Sequence, residues 1–309
     1  VRLDAVATND RGAGPPGPAS AGSASVSFAR RHGLPALGAG VGFRFEHVEE
    51  ILRSPPDVAW FEVVSENYMG RGGLPRRHLR AASERWPVVT HGVSLNVGGT
   101  DPLDREHLRR LKALCDEVRS PWTSDHLCFT AVDGTALNEL LPLPRTDEAV
   151  RHVARRVREV QETVERPFLV ENVSSYLDPS PEGSMDEAEF ARAVCEEADC
   201  GMLLDVNNVF VNAVNFGHDA WDVLSRMPLH RVVQLHLAGP EPKGTMLLDS
   251  HGAPVRDEVW ALTERLLPLL GPTSALVEWD NRMPPLERLL EEHRKARALL
   301  DRAAVAPAP

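Results

Sequence analysis

Seven short apolar runs in this chain carry, at or near their ends, side chains of the kinds that ligate or support metal ions. VAWFEVVSEN (58–67) carries Glu62, Glu66 and Asn67, PVVTHGVSL (87–95) carries His91, and PWTSDHLCF (121–129) carries Asp125 and His126. PFLVENVSS (167–175) supplies Glu171 and Asn172, GMLLDVNN (201–208) supplies Asp205, Asn207 and Asn208, RVVQLHLAG (231–239) supplies His236, and SALVEWDN (274–281) supplies Glu278 and Asp280. Asp249 and His251 add a pair in the loop after the seventh strand. Taken singly, each has an ordinary explanation: a loop histidine, half of an ion pair, or an asparagine capping the next segment. Taken jointly they do not, because gathering three imidazoles and several carboxylates at one buried place costs several kcal/mol per unpaired charge unless cations offset it. Imidazole, carboxylate and amide oxygen without thiolate disfavour structural zinc and suit iron, manganese or catalytic zinc. The donors outnumber the roughly six that one such ion takes, so two or three ions are expected, with Glu171 or Asp205 as bridging carboxylates.

Such convergence requires a fold that brings many strand ends to one place. An eighth apolar run, LGAGVGF (37–43), precedes the seven, and stretches of helical spacing separate all of them: about 46–53, then 75–86, 104–118, 146–164, 184–198, 219–226, 256–270 and 286–300. Thr146 before Asp147 and Glu148 reads as an N-cap, as does Ser184 with Glu187 three residues on. Eight continuous apolar runs alternating with eight helices predict an α/β fold, a (β/α)8 TIM barrel whose parallel strands are buried on both faces and whose chemistry sits at their C-terminal ends. No GxGxxG opens a helix, which argues against a doubly wound sheet.

The bulk composition agrees. With 309 residues, 42% hydrophobic and 26% charged, the chain supports one sizeable core, assigned to residues 33–302 as a single catalytic domain. The Gly, Ala, Ser and Pro-rich stretch 1–32 and the Pro and Ala-rich end 303–309 read as flexible tails. A net charge of -11 excludes a broad electrostatic grip on nucleic acid or an anionic membrane. The four cysteines, Cys115, Cys128, Cys195 and Cys200, form no CxxC pair and suggest reduced thiols in a cytoplasmic protein. No apolar run approaches the roughly 20 residues of a membrane span.

HG (91–92), SDHL (124–127), LNELLPLP (137–144), VENVSSY (170–176), LLDVNNV (203–209), HLAG (236–239), DSHG (249–252), VEWD (277–280) and ENYMGRGG (66–73) together resemble the DUF692 family, also called UPF0276. Its characterised members are multinuclear non-heme iron-dependent oxidative enzymes. The resemblance runs from about Leu34 to Leu300. It implies a TIM barrel holding two or three irons, with O2 as cosubstrate, that oxidatively modifies a ribosomally made precursor peptide, commonly at cysteine. It also implies a small leader-recognising partner protein that presents the peptide. Carried over motif by motif, His91, His126, Glu171, Asp205, Asn208, His236 and Glu278 would be iron ligands, with Asp249 and His251 ligating a further ion. Asp249, His251 and Asn207 would stand nearest the reacting atoms, and Glu66, Asn67 and Asn172 would face the substrate. Two departures stand out: Asp125 where the family commonly has Glu, and Pro240 where it tends to have His. The rival readings are another metal-dependent barrel enzyme, of sugar isomerase or endonuclease type, and a non-catalytic metal-binding protein. The acidic balance weakens the nuclease reading.

Overall fold

The structure is a computed structural model that describes residues 26–305 except position 71. Eight parallel strands close a barrel: β1 (Ala39–Gly42), β2 (Trp60–Val64), β3 (Val88–His91), β4 (Thr123–His126), β5 (Phe168–Glu171), β6 (Gly201–Asp205), β7 (Val232–Leu237) and β8 (Ser274–Val277). Each pairs with its neighbours in chain order, and β8 closes on β1 through Ala39 opposite Ala275 and Val41 opposite Val277. The expected (β/α)8 TIM barrel is therefore the fold.

The two-residue period of a strand sorts the interior into layers. Trp60, Val89, Trp122, Leu169, Leu203 and Leu276 form an apolar floor. Two residues further along their strands come Glu62, His91, Ser124, Glu171, Asp205 and Glu278, all buried. The register of β6 against β7 slips at Val233, so that Val233 joins the floor while Gln234 bonds Trp122 and Glu62 above it. β1 contributes almost no volume. A Cβ on Gly40 would stand 2.4 Å from the Trp60 ring, and one on Gly42 would stand 2.9 Å from the Arg44 guanidinium. These two glycines leave the axis to a tryptophan and an arginine.

The outer strand faces pack on helices Val48–Arg53, Leu74–Ser83, Arg105–Val118, Asp147–Val164, Glu187–Ala198, Ala220–Arg226, Asp257–Leu270 and Leu286–Val305, close to the eight expected segments. Thr146 caps its helix through the backbone N–H of Ala149 at 3.2 Å, as expected. The cap expected at Ser184 is instead a reciprocal box between Asp186 and Glu189, two residues later.

Several elements depart from expectation. Asp205 starts a helix, Val206–Phe216, that the sequence reading left out. Two hairpins, Phe129–Val132 with Thr135–Leu141 and Glu241–Lys243 with Met246–Leu248, sit on the loops after β4 and β7. Positions 26–32 are not the tail expected of them: Phe28–Arg31 form a helical turn, and Phe28 packs beneath Trp60 and Trp122 in the barrel floor. At the other end the last helix runs through Val305, past the expected boundary at 302. The remaining expected tail segments, 1–25 and 306–309, lie outside the described residues. Among the described residues no helix is long and apolar enough to cross a membrane, and all four cysteines are buried free thiols.

Candidate metal centre

The polar layer at the C-terminal ends of the strands resolves into three groups, each with one ligand atom per residue and all such atoms within 4.8 Å of one another. They are His91, His126 and Glu171; Glu171, Asp205, His236 and Glu278; and His251, Glu278 and Asp280. Glu171 belongs to the first two and Glu278 to the last two, so the groups form a continuous series joined by carboxylates. Glu171, one of the two carboxylates expected to bridge, is shared by two groups. Asp205 falls in one group only, and Glu278 is the second shared carboxylate.

Orientation of the imidazoles follows from what their outer nitrogens touch. His126 Nδ1 lies 3.1 Å from the Gly92 carbonyl, which can only accept, so a proton sits there and Nε2 is the nitrogen turned inward. His91 Nδ1 bonds the Ser124 hydroxyl at 2.8 Å. Both Nε2 atoms then lie 3.2 Å from the same oxygen, Glu171 Oε2. His236 turns its Nε2 to Glu62 at 3.1 Å, with Gln234 Nε2 bonding the other Glu62 oxygen at 2.6 Å. Its Nδ1 faces Glu278 at 2.9 Å and Glu171 at 3.1 Å. A carboxylate behind a histidine that aims its other nitrogen inward is the usual support for a metal ligand.

The fit to cations can be tested on polar atoms with nothing to bond. Glu171 Oε2, Asp205 Oδ2, Asn208 Oδ1 and His236 Nδ1 are all buried and make no hydrogen bond of acceptable geometry. Each such atom costs about 1–3 kcal/mol, more when charged. Glu171, Asp205 and His236 fall in one group, an arrangement that a bound cation would satisfy, and the hard oxygen and imidazole donor set fits iron or manganese.

Electrostatics within the layer are correspondingly strained. Burial, with His126 and His236 adjacent, holds His91 well below its usual range. Burial opposes charge on His126 too, but Glu171 and Asp125 outweigh it and raise that imidazole to about 9. Burial drives Asp205 far above an ordinary carboxylate, while His236 and His251 overcome burial and hold Glu278 well below one.

The remaining expected residues divide. Asp205 Oδ1 caps the following helix through Asn208 N at 2.7 Å, leaving Oδ2 for the cluster. Asn207 Nδ2 donates to Asp249 Oδ1 at 2.7 Å, and Asp249 takes His251 Nε2 at 2.7 Å and the Ser174 hydroxyl at 3.0 Å. Asp249 thus stands behind His251 and outside all three groups. His251 adopts a left-handed backbone at φ 46°, locked by Asp280 N and Asn281 N on its carbonyl. Its loop can lie there because Gly239 has no side chain; a Cβ would stand 2.1 Å from the Ala253 carbonyl.

Of Glu66, Asn67 and Asn172, expected to face substrate, Glu66 belongs to none of the three groups. Glu66 Oε1 accepts from Val93 N, Ser94 N and the Ser94 hydroxyl, holding the loop after β3, and Asn67 is exposed. Asn172 spends its amide on the backbone of Asp205, at 2.9 and 3.0 Å, tying β5 to β6. Of the two departures, Asp125 makes bonds of its own, to Leu95 N at 3.0 Å and His126 N at 2.7 Å, and Pro240 is buried.

The residue that sequence reasoning missed is Arg44. Its guanidinium reaches Asp280 Oδ1 and lies 3.3 Å from Glu278 Oε1, which leaves the second oxygen of each carboxylate for the third group. Its sequence signal was an arginine two places past the end of β1, the one strand for which the sequence offered no candidate site residue.

A closed (β/α)8 barrel with three linked groups of candidate metal ligands at its mouth places the chain in the TIM-barrel class. Solved structures agree on the fold: D-psicose 3-epimerase from Clostridium cellulolyticum is 13% identical, with a TM-score of 0.57 over 86% of this chain and 98% of that one. Endonuclease IV from Thermus thermophilus is 18% identical, with a TM-score of 0.55 over 86% of this chain and 99% of that one. The family is narrower: residues 38–301 match the model of the RiPP precursor modification enzymes MbnB/TglH/ChrH, and the chain belongs to that family. UPF0276 proteins of Anaeromyxobacter sp. and Pseudomonas aeruginosa are 46% and 45% identical to it, spanning 91% and 90% of this chain and 97% and 92% of theirs.

Proposed function

We propose that the protein is an iron-dependent oxidoreductase of the cytoplasm that uses O2 to modify a ribosomally made precursor peptide at cysteine, the peptide being presented by a small leader-recognising partner. The observation that carries the reading is the pair of shared carboxylates, Glu171 and Glu278, which link three groups of donors into one series at the barrel mouth. Two or three irons would be held by His91, His126, Glu171, Asp205, His236, Glu278, His251 and Asp280, with the partnerless Asn208 Oδ1 as a further donor. Bound there, iron supplies Lewis acidity and one-electron redox chemistry toward a thiolate and O2.

The chain's own residues do the rest. Glu62, Ser124 and the Gly92 carbonyl fix the three imidazoles, so the donor geometry is set before metal arrives. Asp249, on the solvent side with 13% of its side chain exposed, is oriented by Asn207 and Ser174. Its carboxylate would take the proton of an incoming thiol and release it to solvent. The sugar epimerase and endonuclease likenesses carry fold alone.

The test is mass spectrometry of the precursor peptide, with oxygen uptake, after anaerobically iron-loaded protein meets the peptide, the partner and air. The reading expects an oxidative mass change at cysteine with O2 consumption. An unchanged peptide and no uptake would overturn it.

A further inference from the structure

A cleft of about 260 Å³ opens beside the metal centre, between residues 173–178 and the helices Glu187–Ala198, Val206–Phe216 and Ala220–Arg226. Its lining includes Leu127, Leu143, Val173 and Phe190, all apolar, and the apolar side chains of Leu177 and Phe216 stand 56% and 37% exposed at its edge. Five carboxylates line it against two guanidiniums. Arg145 pairs with Asp178 at 2.5 Å, and Arg226 pairs with Asp186 and, at 2.8 Å, with Asp222. Asp219 spends an oxygen on Asp222 N at 2.9 Å, capping the helix Ala220–Arg226.

Glu187 is left over. One oxygen accepts from Asn212 Nδ2 at 3.2 Å, and the other, Oε1, is buried with no partner. Burial raises its carboxyl to about 7, which marks a carboxylate short of compensating charge. An apolar slot with a surplus anion inside matches a side chain that has a hydrocarbon stem and a cationic head.

We propose that this cleft binds a lysine side chain of the peptide substrate, its methylenes against the apolar lining and its ammonium on Glu187. The ammonium is favoured over a guanidinium because one compact point charge answers one orphan oxygen, whereas a planar fork wants two. The assignment rests on the peptide reading above, which supplies the occupant.

The cleft and the metal centre share a wall. Asn172 lines the cleft and holds the Asp205 backbone. Ser174 donates to Asp249, and the Tyr176 hydroxyl accepts from Asp249 N at 2.9 Å. A lysine anchored in the cleft therefore leaves the adjoining peptide beside the strip that carries Asp249, within reach of the mouth. This makes the cleft a register device: it selects which residue along the peptide meets the metal.

The experiment is saturation-transfer NMR on the full chain with Nα-acetyl-lysine N-methylamide and its uncharged counterpart, Nα-acetyl-norleucine N-methylamide. The lysine probe is expected to bind about tenfold more tightly, a difference of about 1.4 kcal/mol. Glu187→Gln should abolish that preference without changing metal content, and Phe216→Ala should weaken both probes. Equal affinities for the two probes, or a lysine preference that survives Glu187→Gln, would overturn the proposal. Because no turnover is read, loss of the lysine preference sinks the cleft assignment alone, whereas an inert peptide with the preference intact sinks the oxidative reading alone.

Discussion

Replacing Asp205 by Asn should stabilise the chelated protein and destabilise the metal-loaded one. Asp205 is fully buried, its Oδ2 has no partner, and burial holds its carboxyl well above the ordinary range. Asparagine keeps Oδ1, and with it the cap on Asn208 N at 2.7 Å, but puts an amide donor where the orphan oxygen stood. That donor faces the negative charge of Glu171 and Asp249. Removing one unsatisfied buried acceptor recovers about 1–3 kcal/mol. At roughly 2–4 °C per kcal/mol for a domain of this size, the Tm in chelator should rise by about 2–12 °C. With metal present the sign reverses, because an amide nitrogen cannot ligate. Loss of stabilisation by a cation held at about 100 times its Kd removes about 2.7 kcal/mol. Differential scanning calorimetry with and without chelator, alongside metal analysis, reads both halves. A lower Tm in chelator together with unchanged metal content would refute the reasoning.

Three further outcomes follow from named contacts. Glu62→Gln removes the carboxylate behind His236 Nε2 and should weaken metal retention about 10–100-fold in a chelator competition while leaving the circular dichroism spectrum unchanged. Arg156→Met strips the buried guanidinium that donates to the carbonyls of Asn96, Val97 and Asp101 at 2.9, 3.0 and 2.6 Å. Three stranded carbonyls in the loop after β3 should cost about 3 kcal/mol or more, read as a lower denaturant midpoint. Glu187→Gln isolates a pH effect: the carboxyl ionises near 4.5 when unfolded and about 7 when folded, because burial disfavours its charge. Its protonated form favours the fold below pH 4.5, and that advantage is lost as pH rises from 4.5 to 7. The variant should match the wild type in Tm near pH 4.5 and exceed it at pH 8, by at most about 3 kcal/mol. A difference independent of pH would count against the buried charge.

Much of this arrangement was legible before the structure, and the reasons differ by element. The strands read directly because parallel strands buried on both faces are continuous apolar runs, and the candidate ligands read because most sit where such a run breaks. The helix Val206–Phe216 escaped because VNNVFVNAVNF is rich in Val and Asn, weak helix formers, and is buried on so many sides that it has no polar stripe. Packing and the Asp205 cap, not propensity, make it a helix. Phe28 escaped because one aromatic in a polar, glycine-rich stretch carries no periodicity; only the open barrel floor beneath Trp60 and Trp122 gives it a place. The sharing of Glu278 between two groups and the position of Asp249 behind His251 depend on distances across strands that sequence order does not contain. Glu66 and Asn172 read as site residues because they are polar groups at strand ends, while their bonds to the loop after β3 and to the Asp205 backbone are not contained in sequence order.

The most direct measurement is iron per chain, by elemental analysis with Mössbauer spectroscopy, on protein loaded anaerobically with ferrous iron and desalted. The account predicts two or three irons per chain, coupled through the carboxylates of Glu171 and Glu278. A single isolated iron, or none retained, would contradict it.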